Sequence, residues 1–107
     1  MTVAMTPAYW QAARAIAQKL SSTKTDANEL KKVVAYLCWL RNREGTVTGD
    51  RLFDYLATLS QHGEIRSGST ARYYQTIEQV CRDELKDLQA DGDALIQILG
   101  WAGRLQH

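Results

Sequence analysis

The stretch GEIRSGSTARYYQTIEQVCR, residues 63–82, holds the side chains of this chain that are best suited to contact an anion. A helix beginning near Ser67 would present unpaired backbone N–H groups and the positive end of its dipole. Arg66 and Arg72 flank that start with charge, and Gly68 lets a backbone approach closely. Serine and threonine are also ordinary helix caps. The residues therefore leave two interpretations open, a phosphate contact and a capped core helix.

A second group of basic residues precedes and follows the start of the helix predicted from residue 27. Lys31 and Lys32 fall in its first turns, where lysine opposes the helix dipole. Helix formation therefore does not account for them, whereas a polyanionic partner would. Lysines are also common as solvated surface residues, so both interpretations stay open. Together, the candidate nucleic-acid contacts are Lys24, Lys31, Lys32, Arg41, Arg43, Arg66 and Arg72.

The net charge of +1 hides an uneven distribution of charge along the chain. Residues 1–43 carry seven basic side chains and two carboxylates, whereas residues 76–93 carry two basic side chains and six carboxylates. Such polarity suits a basic face for a polyanion, or head-to-tail contact between copies of the chain. An uneven solvated surface is the third possibility.

Residues with catalytic or metal-binding chemistry are sparse. The two histidines, His62 and His107, have no neighbouring nucleophile and carboxylate that would suggest a triad. Cys38 and Cys81 lie inside apolar helical patterns, which predicts two small buried hydrophobic side chains. The sequence contains no CxxC, HExxH or GxxxxGK[ST] pattern. We therefore expect no enzyme activity, no metal and no cofactor.

The elements that must position these residues are helical, because apolar side chains recur at spacings of three and four and no window alternates with period two. Thr6 with Pro7 marks the start of the first helix, and Gly45, Gly63 and Gly92 interrupt the later periodic segments. The pattern predicts an all-α fold, a compact bundle of about five helices. At 107 residues the chain is expected to form a single domain, residues 1–107.

Three local expectations concern individual side chains. Asp26 is predicted to cap the second helix, with Glu29 reaching back in a capping box. Trp10 and Trp39 lie on or beside apolar stripes and are expected in the core. The last helix is apolar on more than one side, which indicates burial on two faces, and Trp101 within it suggests contact with another protein.

The compartment is inferred from what the sequence lacks. No run approaches the roughly 20 apolar residues of a membrane span. The N-terminal MTVAMTPAYW has neither the charged nor the apolar region of a secretory signal. We expect a cytoplasmic protein that has no membrane partner.

Two stretches carry a resemblance to a known family. ELKKVVAYLCWLRNREG and SGSTARYYQTIEQVCRDEL resemble the small helical subunit of CRISPR effector (Cascade-like) complexes, and are most similar to the version in type I-D complexes. That subunit resembles the C-terminal helical domain of the large subunit of these complexes. The resemblance extends from the first helix to about Leu105.

The resemblance implies a non-catalytic function in antiviral defence. Several copies would stack beside other subunits of the complex and line a basic groove. The groove would hold the backbone of the guide RNA–target DNA duplex or of the displaced DNA strand. Lysine and arginine suit this function because they neutralise phosphates without reading bases, and sequence would be read by guide pairing.

Two other functions remain open from the residues. GDRLFDYLATLSQHGEIRSGSTARYYQTIEQV can be read as a helix-turn-helix whose second helix enters the major groove of DNA. Its connection, from Gly63 to Gly68, is longer than the usual three or four residues. The other possibility is a helical adaptor that binds only protein, through the last helix and the acidic segment.

Overall fold

The computed structural model describes residues 4–45, 47–62, 68–86, 88 and 92–106. These residues form five α-helices and contain no strand, so the predicted all-α bundle is confirmed. The helices are α1 (Pro7–Ser22), α2 (Ala27–Glu44), α3 (Gly49–His62), α4 (Gly68–Leu85) and α5 (Gly92–Leu105). Within this described part of the chain, no helix is both long enough and apolar enough to cross a membrane.

Helix α1 begins as its sequence predicts. The hydroxyl of Thr6 accepts a hydrogen bond from the Tyr9 backbone N–H at 3.1 Å, and Pro7 occupies the first helical position. The helix ends at a turn in which Lys24 has a left-handed backbone with φ of 58°. The Thr25 N–H donates to the Leu20 carbonyl there, so the chain turns directly towards α2.

Helix α2 has the predicted ends but not the predicted capping box. Asp26 accepts from the Asn28 backbone N–H at 2.9 Å, and Gly45 takes the left-handed conformation, with φ of 81°, after the last turn. The side chain of Glu29 does not reach back to the cap. It turns inward and accepts a hydrogen bond from the hydroxyl of Tyr74 in α4. Because Glu29 is buried beside α4, this hydroxyl is a strong donor within its reach.

The core is shared by all five helices. Helix α5 packs against both α1 and α2, while α4 packs against α1 and α3. The fully buried large side chains are Ile16, Leu20, Leu30, Leu37, Leu40, Leu52, Leu56, Ile77, Ile98 and Leu99, with Val33 and Cys81. The expected burial of α5 on two faces is therefore explained within the chain, by α1 on one side and α2 on the other.

The oppositely charged parts of the chain meet inside one molecule. Lys19 of α1 pairs with Glu84 of α4 at 2.5 Å, and this hydrogen bond raises the pKa of the lysine. Arg41 of α2 pairs with Asp93 of α5, also at 2.5 Å. Part of the charge asymmetry seen in the sequence is thus matched by contacts between neighbouring helices.

The two cysteines differ in their surroundings. Cys81 is fully buried, and burial raises the pKa of its thiol to about 12. Cys38 is only half-buried, so the prediction of two buried cysteines is correct for Cys81 and wrong for Cys38. Cys38 lies one residue after the buried Leu37 and therefore at the edge of the apolar stripe of α2.

Candidate nucleic-acid interface

One face of α2 combines basic and aromatic side chains. Lys32, Tyr36, Trp39 and Arg43 are spaced by four, three and four residues, so they lie one above another along the helix. Tyr55 of α3 stacks on Tyr36 and extends the row. These five side chains are called the Trp39 face below.

Trp39 is exposed, and its predicted place in the core is wrong. Trp39 is 51% exposed, which is unusual for a large hydrophobic residue among those that the structure describes. Trp39 lies two positions after the buried Leu37, which is about 200° around a helix of 3.6 residues per turn. That separation places it opposite the core stripe of α2.

The aromatic rings of the Trp39 face form a stacked row between α2 and α3. Tyr36 and Tyr55 are nearly parallel, with an interplanar angle of 10° and ring centroids 3.8 Å apart. The Tyr36 and Trp39 rings follow with centroids 6.1 Å apart and an angle of 28°. Burial raises the pKa of Tyr55, and the neighbouring Tyr36 and Glu29 raise it further. Tyr55, at one end of the row, is half-buried, whereas Trp39, at the other end, is exposed.

Two cations of α2 lie beside this row. The guanidinium carbon of Arg43 is 5.1 Å from the centroid of the Trp39 ring, within the range of a cation–π contact. Lys32 is exposed and lies 3.3 Å from the carboxylate of Glu29. Lys31, beside the face, is also exposed, and neither Lys31 nor Arg43 has a carboxylate partner among the described residues. Their charges are available to a phosphate.

A shallow cleft of about 270 Å³ lies next to the row of rings. It is lined by Tyr36, Arg51, Asp54, Tyr55 and Thr58. The guanidinium of Arg51 already pairs with Glu44, at 3.0 and 3.3 Å from its two oxygens. Because that arginine is paired and an aspartate lines the cleft, the cleft itself is less favourable to a phosphate than Lys32 and Arg43 are.

A second basic pair lies between α2 and α5. Lys31 and Arg104 contribute to a cleft of about 330 Å³, whose remaining lining is mostly apolar. Arg104 lies over the Trp101 ring at 4.9 Å, and Trp101 contacts Trp10, with centroids 4.8 Å apart. Trp10 is half-buried rather than in the core. Trp101 already contacts Trp10 and Arg104 within the chain, so its apolar ring does not need to be buried by another protein.

The structure brings together only some of the basic residues that the sequence singled out. Lys32 and Arg43 lie on the Trp39 face of α2, whereas Lys31 is about 100° around the helix from Lys32 and lines the cleft against α5. Arg41 does not join them, because it points towards α5 and pairs with Asp93. Lys24 is exposed in the turn before α2, and Arg72 is exposed in the first turns of α4.

The stretch at residues 63–82 is described only in part. Arg66 and Ser67 lie outside the described residues, as do the side chains of Ser69 and Thr70. Tyr74 is buried and Tyr73 is half-buried, which confirms that one ring enters the core while the other stays at its edge. The phosphate contact at this helix start and the helix-turn-helix interpretation remain predictions.

Trp39, Tyr36, Tyr55 and Arg104 are candidate contacts that the sequence reasoning did not select. A signal for the first two was present: positions 32, 36, 39 and 43 repeat at helical spacing on the side of α2 that has no aliphatic residues. Tyr55 and Arg104 gave no such signal, because their proximity to α2 depends on how the helices pack.

The Trp39 face combines exposed cations with stacked aromatic rings. In the described ranges, no group of three His, Cys, Asp or Glu side chains is placed to hold a metal ion. Comparisons with protein-family models, with curated proteins and with solved structures find no match.

Proposed function

We propose that this chain is a non-catalytic, nucleic-acid-binding subunit of an RNA-guided CRISPR complex in the cytoplasm. The observation that supports the proposal most directly is the exposed side of α2. Lys32 and Arg43 lie there on the Trp39 face, and Lys31 is exposed about 100° around the helix, towards α5. Lys31 and Arg43 have no carboxylate partner among the described residues. The resemblance of the two sequence stretches supplies the assembly in which this surface would act, with other subunits and further copies of the chain as its partners.

The geometry supports contact with the sugar–phosphate backbone. From Lys32 to Arg43 the helix extends about 16 Å at 1.5 Å per residue. That length corresponds to about five nucleotides of one strand at 3.4 Å each. Cations spaced along such a length neutralise phosphates and release counterions without distinguishing bases. Sequence would then be read by the guide RNA and not by this subunit.

The carboxylates of α2 do not oppose a polyanion strongly. Glu29 is buried and bonded to Tyr74, and Glu44 pairs with Arg51. Asp26 caps the helix start, where it accepts a backbone N–H. The exposed side of α2 is therefore more basic than the net charge of +1 suggests. Several copies in one complex would align several such surfaces, which would strengthen a contact that is weak in one copy.

The first test is binding of the chain to random single-stranded and duplex DNA across a salt series. We expect affinity to fall steeply with salt, and the variant Lys31→Gln/Arg43→Gln to bind more weakly to both DNAs. Each lost phosphate contact should make the slope of log K against log salt shallower by about 0.7 to 0.9. Fluorescence anisotropy with labelled DNA measures both quantities.

The matched control is Arg14→Gln/Lys86→Gln, which removes the same charge from exposed residues of α1 and of the turn after α4. It should retain the affinity and the salt slope of the unsubstituted chain. Equal losses in the two variants would show that net charge, and not the α2 surface, governs binding. No binding to either DNA at low salt would refute the nucleic-acid function.

Membership of a CRISPR complex has a separate test. When the tagged chain is purified at moderate salt from the cell that encodes it, we expect repeat–spacer RNA to co-purify and to be strongly enriched over total RNA. Sequencing of the bound RNA measures this enrichment. The control is the Lys31→Gln/Arg43→Gln variant, which should stay in the complex because other subunits hold the guide. Bound RNA with no enrichment of repeat sequence would contradict the CRISPR assignment.

A further inference from the structure

The exposure of Trp39 is not explained by the folding of the chain. Burying a large aromatic side chain is among the most favourable contributions to a core, yet this one remains half in solvent. The stacked row of Tyr55 and Tyr36 ends at Trp39, so the indole is already held beside other rings. Such a side chain offers a large flat surface, in a fixed position, on which another ring can stack.

We propose that Trp39 stacks an unpaired base, so that the ligand of this face is single-stranded nucleic acid rather than a duplex. The inference rests on the proposed nucleic-acid function and specifies its ligand. Bases in a duplex are stacked on one another and cannot reach a side chain, whereas bases of a single strand can be stacked on aromatic rings. Arg43 lies over the indole in the structure, so a base that stacks there displaces its guanidinium, which is then free to contact the flanking phosphate.

The charges on either side of Trp39 fit the phosphates that flank a stacked base. Lys32 lies about 10 Å before Trp39 along the helix axis, and Arg43 lies about 6 Å after it. These two cations can hold the strand along α2 while the base between them turns towards the indole. The cleft beside Tyr55 contains Asp54, so the strand is expected to follow α2 and not to enter the cleft.

Tryptophan, tyrosine and arginine are also common where proteins bind one another. The charge of this surface favours nucleic acid, because its cations are Lys32 and Arg43 while the carboxylates of α2 are buried, paired or capping. A protein partner would have to be acidic, and its binding would not depend on nucleobases. Whether binding depends on nucleobases therefore distinguishes nucleic acid from an acidic protein partner by experiment.

The test uses three labelled ligands of equal length: a 12-nucleotide oligothymidine, an abasic strand with the same phosphates, and a 12-base-pair duplex. The chain should bind oligothymidine roughly ten-fold more tightly than the abasic strand, the effect expected of one stacked base. Trp39→Leu should remove that difference and leave the abasic affinity unchanged. Trp39→Phe should retain part of the preference, because its smaller ring can still stack.

The outcomes distinguish this inference from the proposed function. Trp39 is exposed, so both variants should keep the helical circular dichroism and the thermal midpoint of the unsubstituted chain. Equal affinity for oligothymidine and the abasic strand, or an oligothymidine affinity unaffected by Trp39→Leu, would overturn the stacking and leave the backbone contact standing. The exposed ring would then be better suited to a protein. Failure to bind all three ligands at low salt would refute both proposals.

Discussion

We expect Gly92→Ala to destabilise the bundle by about 3 kcal/mol or more, the upper range for overpacked sites. Gly92 is buried at the start of α5, directly against Val47. An added Cβ would overlap the carbonyl group of Val47 as well as its side chain, and a backbone carbonyl cannot move aside as a flexible side chain can. The thermal midpoint should fall by more than about 10 °C, measured by circular dichroism.

Gly100→Ala in the same helix is the control. A Cβ at Gly100 would meet nothing within 4 Å, so the substitution adds no overlap there. Alanine has the higher helix propensity, and Gly100→Ala should raise the free energy of unfolding by up to about 1 kcal/mol. The same substitution is thus expected to have opposite signs at two positions of α5. A Gly92→Ala variant as stable as the unsubstituted chain would mean that α5 does not begin against Val47.

The helices could be predicted because their signals are local. The Thr6 cap with Pro7, the Asp26 cap and the left-handed Gly45 each act within one turn, and all three occur where the sequence indicates. The apolar residues Leu30, Val33, Leu37 and Leu40 of α2 are likewise buried, at the spacings of three and four that predict a helix. Local hydrogen bonding and hydrophobic periodicity therefore sufficed for the fold class.

Contacts between distant residues change what the sequence indicates at two positions. Glu29 satisfies the spacing of a capping box, but a donor 45 positions away in α4 binds its carboxylate instead. Likewise, Arg41 looks like a free cation in the sequence, whereas the packing of α2 on α5 brings Asp93 to it. Sequence spacing does not contain this information, because it is created when the helices pack.

The candidate site was predictable only in part for a similar reason. Charge alone selects Lys31, Lys32 and Arg43, and the structure places Lys32 and Arg43 on one face of α2 and Lys31 towards α5. Trp39 is expected in the core because it lies beside the apolar stripe of α2, although its position two residues after Leu37 indicates the opposite side. At this position helical phase is a better guide than closeness in sequence to buried residues.

The second large effect is expected from Tyr74→Phe, which should lower the free energy of unfolding by about 2 kcal/mol, the range for hydrogen bonds to charged groups. The Tyr74 hydroxyl donates to Glu29 Oε2 at 2.6 Å, and Glu29 is only 8% exposed. Without this donor, a carboxylate oxygen stays buried with no partner from α4. Urea unfolding at pH 7 measures the loss, with Tyr73→Phe as the control, since the neighbouring half-buried ring should lose little.

The same hydrogen bond predicts how stability depends on pH. Burial, and secondarily the bond to Glu29, raise the pKa of Tyr74 well above the usual value near 10. Above about pH 10 the unfolded chain loses the phenol proton that the folded chain retains, so the unfolded state is favoured and stability falls as pH rises. Tyr74→Phe should therefore approach the unsubstituted chain in stability between about pH 10 and pH 12. A constant difference across that range would contradict the buried pair, because a solvated phenol would ionise alike in both states.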